Sequence, residues 1–213
     1  MNKPILYSCA RSRGLRATWA AEEAGVDIDL RILPFPPRYL APGYMELNPL
    51  GTVPMLVDGE TKLTESCAIA HYLATRGGYT SLAIAPGERD YGEYCDFTYH
   101  ADATITFPQT VYMRFCLFEK DKGLEAAGHA YAKWFHKRLV KVEQRLQGRE
   151  YLCADRFTVA DICVGYALIL AESVGLDEGV PESLKAYRAR LTARSAYKRA
   201  FTREEEGRKA LAG

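Results

Sequence analysis

The chain has 213 residues, of which 48% are hydrophobic and 26% are charged, and its formal net charge is +1. This balance is typical of folded globular domains and argues against a disordered chain. The charges are scattered, so no basic run predicts binding to nucleic acid or to an anionic membrane surface. The length suits one large domain or two smaller ones.

The opening residues and the cysteines indicate the compartment. Ile5 to Tyr7 form an apolar stretch that is too short for the core of a secretory signal, and no later stretch is long and apolar enough to cross a bilayer. The six cysteines are widely spread and no pair has the spacing of a metal site. We therefore expect a cytoplasmic protein with reduced thiols, no metal and no membrane partner.

The first part of the chain predicts a mixed α/β fold. Alternating apolar residues predict strands at 4–8 and 27–33, and the apolar spacing of residues 15–24 predicts a helix between them. This order indicates a βαβ unit with parallel strands. A proline-rich connection at 34–42 is expected to be irregular, and residues 44–47 predict a short helix.

A hairpin and a further helix complete this first domain. Residues 54–58 and 62–63 predict two strands joined by a tight turn at Gly59, and residues 65–76 predict a helix. Residues 1–78 therefore predict one domain with the order β-α-β, short α, β-β-α.

The rest of the chain has the pattern of helices only. Residues 79–88 predict a linker, and residues 89–213 predict an all-helical domain. Pro108 is expected to kink the first of its helices. The predicted helices, in chain order, cover residues 89–118, 124–146, 158–174, 181–190 and 192–201.

The most informative stretch is residues 48–56, Asn-Pro-Leu-Gly-Thr-Val-Pro-Met-Leu. Proline is awkward inside a sheet because it has no N–H to donate. A cis peptide bond between Val53 and Pro54 turns the amide edge of Val53 toward a ligand, which pairs with it as a short added strand. The alternative is an edge strand that begins with proline, and these residues alone do not decide between the two.

Two polar residues stand at the start of the helix predicted for 65–76. Ser66 is typical of a capping position, and the free N–H groups at a helix N-terminus attract anions. Glu65 beside it suits a cationic amine. The pair matches the head group of an α-amino acid, and a plainly capped helix is the alternative.

The order of elements, the Asn-Pro-x-Gly-x-Val-Pro stretch and the Glu-Ser pair together resemble the glutathione site of the soluble glutathione S-transferases. A second stretch, residues 157–162 (Phe-Thr-Val-Ala-Asp-Ile), resembles the capping box of a buried helix in that family's C-terminal domain. The resemblance is to bacterial-type members of the serine-like or cysteine-like classes. It implies a thioredoxin-like N-terminal domain followed by an all-helical domain, a homodimer, and no cofactor besides glutathione as co-substrate.

The resemblance also implies binding roles for single residues. The peptide of Val53 and Pro54 binds the cysteinyl backbone of glutathione in the family, and the Glu65-Ser66 pair holds the γ-glutamyl group. Thr52 stands where the family often has Lys or Gln to hold the glycyl carboxylate, which is a departure from the family pattern. Its hydroxyl can still donate to that carboxylate, and Arg38 in the proline-rich connection is the alternative for the same role.

Members of the family lower the pKa of the glutathione thiol, which for a free cysteine is near 8.5. The resemblance places the activating group between Tyr7 and Arg13. Ser12, at the mouth of the first helix, is the first candidate, because a serine hydroxyl donates to the thiolate. Cys9 would instead form a mixed disulfide with glutathione, and Arg11 offers a fixed positive charge and a further contact to glutathione. Tyr7 is a fourth candidate.

The activity implied by the resemblance is conjugation of glutathione to a small, largely apolar electrophile. Two alternatives stay open: a glutathione-dependent thiol–disulfide oxidoreductase that works through Cys9, and a non-catalytic binding protein with this fold. Four aromatic residues near the expected kink are candidates for an apolar pocket, although core packing or a subunit contact is the more common role for such residues. They are Phe107, Tyr112, Phe115 and Phe118.

Overall fold

The computed structural model describes residues 3–78 and 80–211. The linker predicted for 79–88 begins at residue 79, which lies outside the described part. The outer ends of the two predicted domains, residues 1 and 213, also lie outside it. Within the described ranges, no helix combines the length and the apolar character needed to cross a membrane.

The chain divides into two compact units. The first contains the residues up to 83 together with those from 192 onward, and the second contains residues 84–191. The sequence had assigned the last helix to a domain spanning 89–213, whereas the structure packs it with the first residues of the chain.

The first unit contains a four-stranded mixed sheet with the order β2-β1-β3-β4. The strands are β1 (Ile5–Ser8), β2 (Asp29–Ile32), β3 (Met55–Asp58) and β4 (Thr61–Leu63). The pair β1–β2 is parallel, and the pairs β1–β3 and β3–β4 are antiparallel. The predicted βαβ unit and the predicted hairpin are thus both confirmed.

Among the described residues, five α-helices lie in the first unit and five in the second, where the last residue of the fifth already belongs to the first unit. In the first unit they are α1 (Leu15–Ala24), α2 (Pro37–Leu40), α3 (Tyr44–Leu47), α4 (Ser66–Thr75) and α10 (Ser195–Ala210). In the second they are α5 (Tyr91–His100), α6 (Phe107–Met113), α7 (Glu125–Arg145), α8 (Val159–Ser173) and α9 (Glu182–Thr192). Helix α2 lies in the connection that the sequence predicted to be irregular. Pro37 begins it, because the fixed φ of proline suits the first turn of a helix.

The sheet, α1 and α4 share one apolar core. Its most buried side chains, each at most 1% exposed, are Leu6, Ala17, Ala21, Ile28, Leu56, Ile69 and Leu73. They come from β1, β3, α1, α4 and the loop before β2, so burying them fixes both helices against the sheet. The loops at the ends of these elements are held in place as a result.

Charged side chains tie α10 to α1. Glu22 accepts hydrogen bonds from Arg199 at 2.8 Å and from Arg203 at 2.7 Å, and Glu23 pairs with Arg194 at 2.6 Å. The carboxylates belong to α1 and the arginines to α10 or the residue before it. This explains why the sequence ended the helix at residue 201: a helix that docks through charge lacks the apolar stripe by which a packed helix is recognised.

The segment predicted as one long helix over 89–118 changes its helix type three times. Helices α5 and α6 are each followed by a π-helical stretch, Ala101–Thr106 and Arg114–Phe118. Pro108 lies in the first turn of α6, directly after the first π-helical stretch. At the expected kink, the structure therefore has a widened turn, and the backbone dihedrals stay right-handed helical through it.

The predicted capping box of α8 is confirmed. Asp161 is fully buried and accepts the Thr158 N–H at 2.8 Å and the Thr158 hydroxyl at 3.1 Å. The same carboxyl accepts the Leu152 N–H at 3.0 Å and the Tyr187 hydroxyl at 2.7 Å. One side chain therefore joins the start of α8 to the preceding loop and to α9.

We predict that Asp161→Ala destabilises the protein by about 3 kcal/mol or more, because several buried donors lose their acceptor at once. The free energy of unfolding in urea measures this. The matched control is Asp121→Ala, which removes an exposed carboxylate and should change the same free energy by less than about 0.5 kcal/mol. An equal effect of the two substitutions would contradict the role of Asp161 in joining these elements.

Candidate functional site

Three loops of the first unit meet at one edge of the sheet. Tyr7 near the end of β1 lies opposite Met55 at the start of β3, because these strands run antiparallel. Leu63 at the end of β4 lies opposite Leu56, so the loop into α4 starts beside the same edge. The loop after β1, the loop before β3 and the turn into α4 hold the residues predicted for the glutathione site, apart from Tyr7, which lies in β1.

The loop before β3 is built around one buried amide. Asn48 is 2% exposed; its Nδ2 donates to the Thr52 carbonyl at 2.8 Å and its Oδ1 accepts the Leu50 N–H at 3.2 Å. The Tyr44 hydroxyl donates to the same Thr52 carbonyl at 2.6 Å. The peptide bond between Val53 and Pro54 is cis, which is the first of the two alternatives that these residues left open. Among the described residues, none of the hydrogen bonds that fix this turn uses the backbone of Val53.

Gly51 is the position at which this turn requires a glycine. Its φ is +59°, in the left-handed region, and a Cβ added there would lie 2.7 Å from both the Arg38 Cβ and the Met45 sulfur. The motif Asn-Pro-x-Gly therefore specifies a tight turn that delivers Val53 and Pro54 to the sheet edge.

A buried arginine side chain contacts the turn into α4. Arg16 is 0% exposed, and its guanidinium donates to the Ser66 hydroxyl oxygen at 2.9 Å. Because Ser66 accepts this bond, its own hydroxyl hydrogen can be donated to a ligand. The first N–H groups of α4 point out of the same turn, so two sources of positive potential meet at Ser66.

Glu65 and Thr52 are the exposed members of the predicted site. Glu65 precedes the first residue of α4 with extended backbone dihedrals. Thr52 uses its carbonyl to hold the loop and leaves its side chain at the surface. Both lie in the loops that meet at the sheet edge.

Ser12 lies in the loop between β1 and α1. Its Oγ accepts the Gly14 N–H at 3.2 Å, and within residues 3–78 and 80–211 its hydroxyl hydrogen has no acceptor. The Ser12 N–H donates to the Cys9 carbonyl at 3.1 Å and closes the turn. A Cβ on Gly14 would lie 1.9 Å from the Ser8 Oγ, so only glycine lets the start of α1 approach β1 this closely.

Cys9 does not have the environment of a reactive thiol. It is 2% exposed, and its Sγ lies 3.7 Å from the Pro34 carbonyl oxygen. Burial, with a further contribution from the charge of Glu204, raises the pKa of Cys9 to about 12. The thiolate needed for attack on a disulfide is therefore strongly disfavoured, and this geometry argues against the predicted catalytic role.

The side chain of Arg11 contacts α10, which conflicts with the role predicted for it from the sequence. Its Nε donates to Glu205 of α10 at 2.8 Å, and its guanidinium lies over the ring of Phe201. Hydrogen bonds from Arg11 and then Arg208 lower the pKa of Glu205 to about 2. The charge of Arg11 is thus already balanced by a carboxylate, which weakens the case for a contact with glutathione.

The backbone of Arg11 adopts an unusual conformation. Its φ is +63°, in the left-handed region, which costs a residue other than glycine about 1–2 kcal/mol. The Arg11 N–H donates to the carboxyl of Glu204 at 3.1 Å. The strained residue that precedes Ser12 is therefore hydrogen-bonded to a side chain of α10, near the end of the chain.

Glu204 is a buried carboxyl that the sequence analysis missed. It is 1% exposed and also accepts the Thr18 hydroxyl at 2.9 Å and the Ser8 hydroxyl at 3.4 Å. Burial raises the pKa of Glu204 to about 7. No local signal marks this residue as buried, because Glu204 stands in an acidic run that is typical of a solvated face. Arg16 was visible as a charge within an apolar helix face, but its contact with Ser66 was not.

Comparisons with known proteins agree with this geometry. Residues 11–76 match the family model described as Glutathione S-transferase, N-terminal domain. The chain is 29% identical over 160 residues to Glutathione S-transferase GST-4.5 of Xanthomonas campestris pv. campestris, an alignment that covers 72% of this chain and 76% of that protein.

Solved structures give the same result. The fold matches the ternary complex of BphK, a bacterial GST, with a TM-score of 0.82 and 27% identity, covering 94% of this chain and 99% of that one. It also matches a glutathione transferase from Methylococcus capsulatus str. bath with a TM-score of 0.80 and 25% identity, covering 95% and 98% of the two chains. The thioredoxin-like and all-helical fold class is confirmed.

We predict that Glu204 makes stability fall as the pH rises. Its pKa is raised from 4.5 to about 7, so the folded state holds this proton more tightly than the unfolded state, and the advantage is lost between these two values. The loss from this group amounts to about 3 kcal/mol. Glu204→Gln cannot ionise, so its unfolding free energy relative to the unsubstituted protein should rise across this pH window.

Urea unfolding at several pH values measures this difference. Glu206→Gln is the matched control, since Glu206 is exposed and lies on the same helix. A difference between Glu204→Gln and the unsubstituted protein that does not vary with pH would contradict the prediction.

Proposed function

Because the chain belongs to the glutathione S-transferase family, we propose that it is a glutathione transferase that conjugates glutathione to a small, largely apolar electrophile. In this reaction the thiol of glutathione loses its proton to solvent, and the thiolate forms a C–S bond as the leaving group departs with its electron pair. The observation that carries the proposal is the convergence of Ser12, the Val53-Pro54 turn and Ser66 at one sheet edge.

Glutathione binds, in this proposal, along that edge. The γ-glutamyl carboxylate accepts hydrogen bonds from the Ser66 hydroxyl and N–H, and the buried Arg16 beneath Ser66 adds a positive charge. Glu65 pairs with the γ-glutamyl ammonium. The backbone of Val53 pairs with the cysteinyl residue, and Thr52 donates to the glycyl carboxylate.

Ser12 is the group that stabilises the thiolate. The support is its position beside the turn that holds the cysteinyl residue and a hydroxyl oxygen that already accepts the Gly14 N–H. A hydroxyl in this state donates more strongly, because hydrogen bonds in a chain polarise one another. One charge-assisted hydrogen bond of about 1.5–3 kcal/mol lowers the thiol pKa by roughly one to two units.

The thiol–disulfide alternative has less support. It requires Cys9 to form a mixed disulfide, and this sulfur is buried with a pKa raised to about 12. The homodimer and the cytoplasmic location implied by the family resemblance are further parts of the proposal. Sedimentation equilibrium tests the dimer, because a single-chain mass at micromolar concentration contradicts it.

We predict that Ser66→Ala weakens glutathione binding by roughly 10- to 100-fold, since it removes one charge-assisted hydrogen bond from the γ-glutamyl carboxylate. Calorimetry with S-methylglutathione measures the affinity, because this analogue has no thiol to ionise. Ser183→Ala, an exposed substitution in α9, is the matched control and should leave the affinity unchanged. Unchanged binding to the Ser66 variant would overturn the assigned orientation of glutathione.

We predict that Ser12→Ala raises the pKa of the bound glutathione thiol by roughly one to two units. It should lower kcat for a chlorinated nitrobenzene by roughly 10- to 100-fold. Affinity for S-methylglutathione should be retained. Ultraviolet absorbance of the thiolate as a function of pH gives the pKa.

The comparison with Cys9→Ala separates the two mechanisms. Conjugation should survive the loss of the Cys9 thiol because that sulfur takes no part. If conjugation survives Ser12→Ala while reduction of a glutathione mixed disulfide is abolished by Cys9→Ala, the redox function replaces the proposed one.

A further inference from the structure

The backbone conformation of the loop that carries Ser12 depends on the residue before it, Arg11. Arg11 has a φ of +63°, and this left-handed turn lets the Ser12 N–H reach the Cys9 carbonyl at 3.1 Å. An arginine in this region persists only where surrounding contacts hold it. The direction of the Ser12 hydroxyl therefore depends on whatever holds the backbone of Arg11.

Those contacts come from α10. One carboxyl oxygen of Glu204 accepts the Arg11 N–H at 3.1 Å, and the other accepts the hydroxyls of Thr18 in α1 and Ser8 in β1. Glu204 thus joins the strand before the loop, the loop itself and the helix after it. At 1% exposure, this network is shielded from competing water.

We propose that Glu204 is a positioning residue for thiol activation, acting through the Arg11 turn to hold the Ser12 hydroxyl toward the sulfur of glutathione. This inference rests on the proposed function. It makes the last helix of the chain part of the thiol-activating machinery, although Glu204 itself touches neither glutathione nor the electrophile.

Two features distinguish positioning from a purely structural contact. The docking of α10 has its own ion pairs through Glu22 and Glu23, which do not involve the loop. Glu204 instead contacts the strained residue of the loop directly. Replacing Glu204 should therefore disturb the loop while α10 stays docked.

The test is Glu204→Leu, which keeps about the size of the side chain but has no acceptor oxygen. The Ser8 and Thr18 hydroxyls have other acceptors, backbone carbonyl oxygens at 3.2 and 3.3 Å, so the Arg11 N–H is the donor that loses its partner. We expect the pKa of the bound glutathione thiol to rise by about one unit and kcat for conjugation to fall roughly tenfold. The affinity for S-methylglutathione should stay within about twofold, because Ser66 and Val53 are untouched.

Glu206→Leu is the matched control, because Glu206 is exposed on the same helix; it should leave the thiol pKa and kcat unchanged. Arg11→Gly supplies a rescue. Glycine adopts positive φ at no steric cost, so the turn no longer needs support from Glu204. In the Arg11→Gly background, Glu204→Leu should therefore change the thiol pKa far less than it does alone.

The outcomes separate the inference from the proposed function. A wild-type protein that binds no glutathione, or binds it with an unshifted thiol, removes the proposed function and the inference with it. A wild type with a lowered thiol pKa that Glu204→Leu leaves unchanged overturns only the inference, as does a weaker affinity for S-methylglutathione with an unchanged thiol pKa.

Folding is checked by circular dichroism. If Glu204→Leu alone does not fold, the Arg11→Gly/Glu204→Leu protein decides. A folded double variant with the thiol pKa of Arg11→Gly supports positioning. A double variant that folds with a raised pKa, or that does not fold, overturns it.

Discussion

The antiparallel pairing of β1 with β3 is the constraint on which the candidate site depends. It places the end of one strand beside the start of the other, so the loop with Ser12 and the turn with Val53 and Pro54 share a sheet edge. The pairing of β3 with β4 then brings the start of α4 to the same edge. A one-residue slip in either register would turn the core side chains outward, so burial of the core and assembly of the site depend on the same register.

Much of the first unit could be predicted from the sequence because its signals are local. The apolar period of α1, the turn residues of the hairpin and the Asn-Pro-x-Gly-x-Val-Pro stretch each act over a few residues. Asn48 and Gly51 specify the turn directly, one through its amide and the other through its left-handed backbone. The capping box at Thr158 and Asp161 was predictable for the same reason.

What the sequence could not give were contacts between residues far apart in the chain. Arg16 and Ser66 are 50 residues apart, and Arg11 and Glu204 are 193 apart. Nothing local marks Glu204 as the buried member of an acidic run. Its burial follows from the docking of α10 on α1, and that docking uses charges that sequence reasoning assigns to solvent. The buried state of Cys9, which argues against its predicted role, is likewise a tertiary property.

The grouping of α10 with the first residues of the chain has a consequence for biosynthesis. During translation, the sheet and its helices leave the ribosome long before residue 204 is made. Until then, the hydroxyls of Ser8 and Thr18 lack the carboxyl that joins them, and the left-handed turn at Arg11 lacks its acceptor. The first unit is thus the first part to be synthesised and the last to be completed. A chain that ends before residue 204 carries every residue that we propose to contact glutathione, but its Ser12 loop lacks the Glu204 contact.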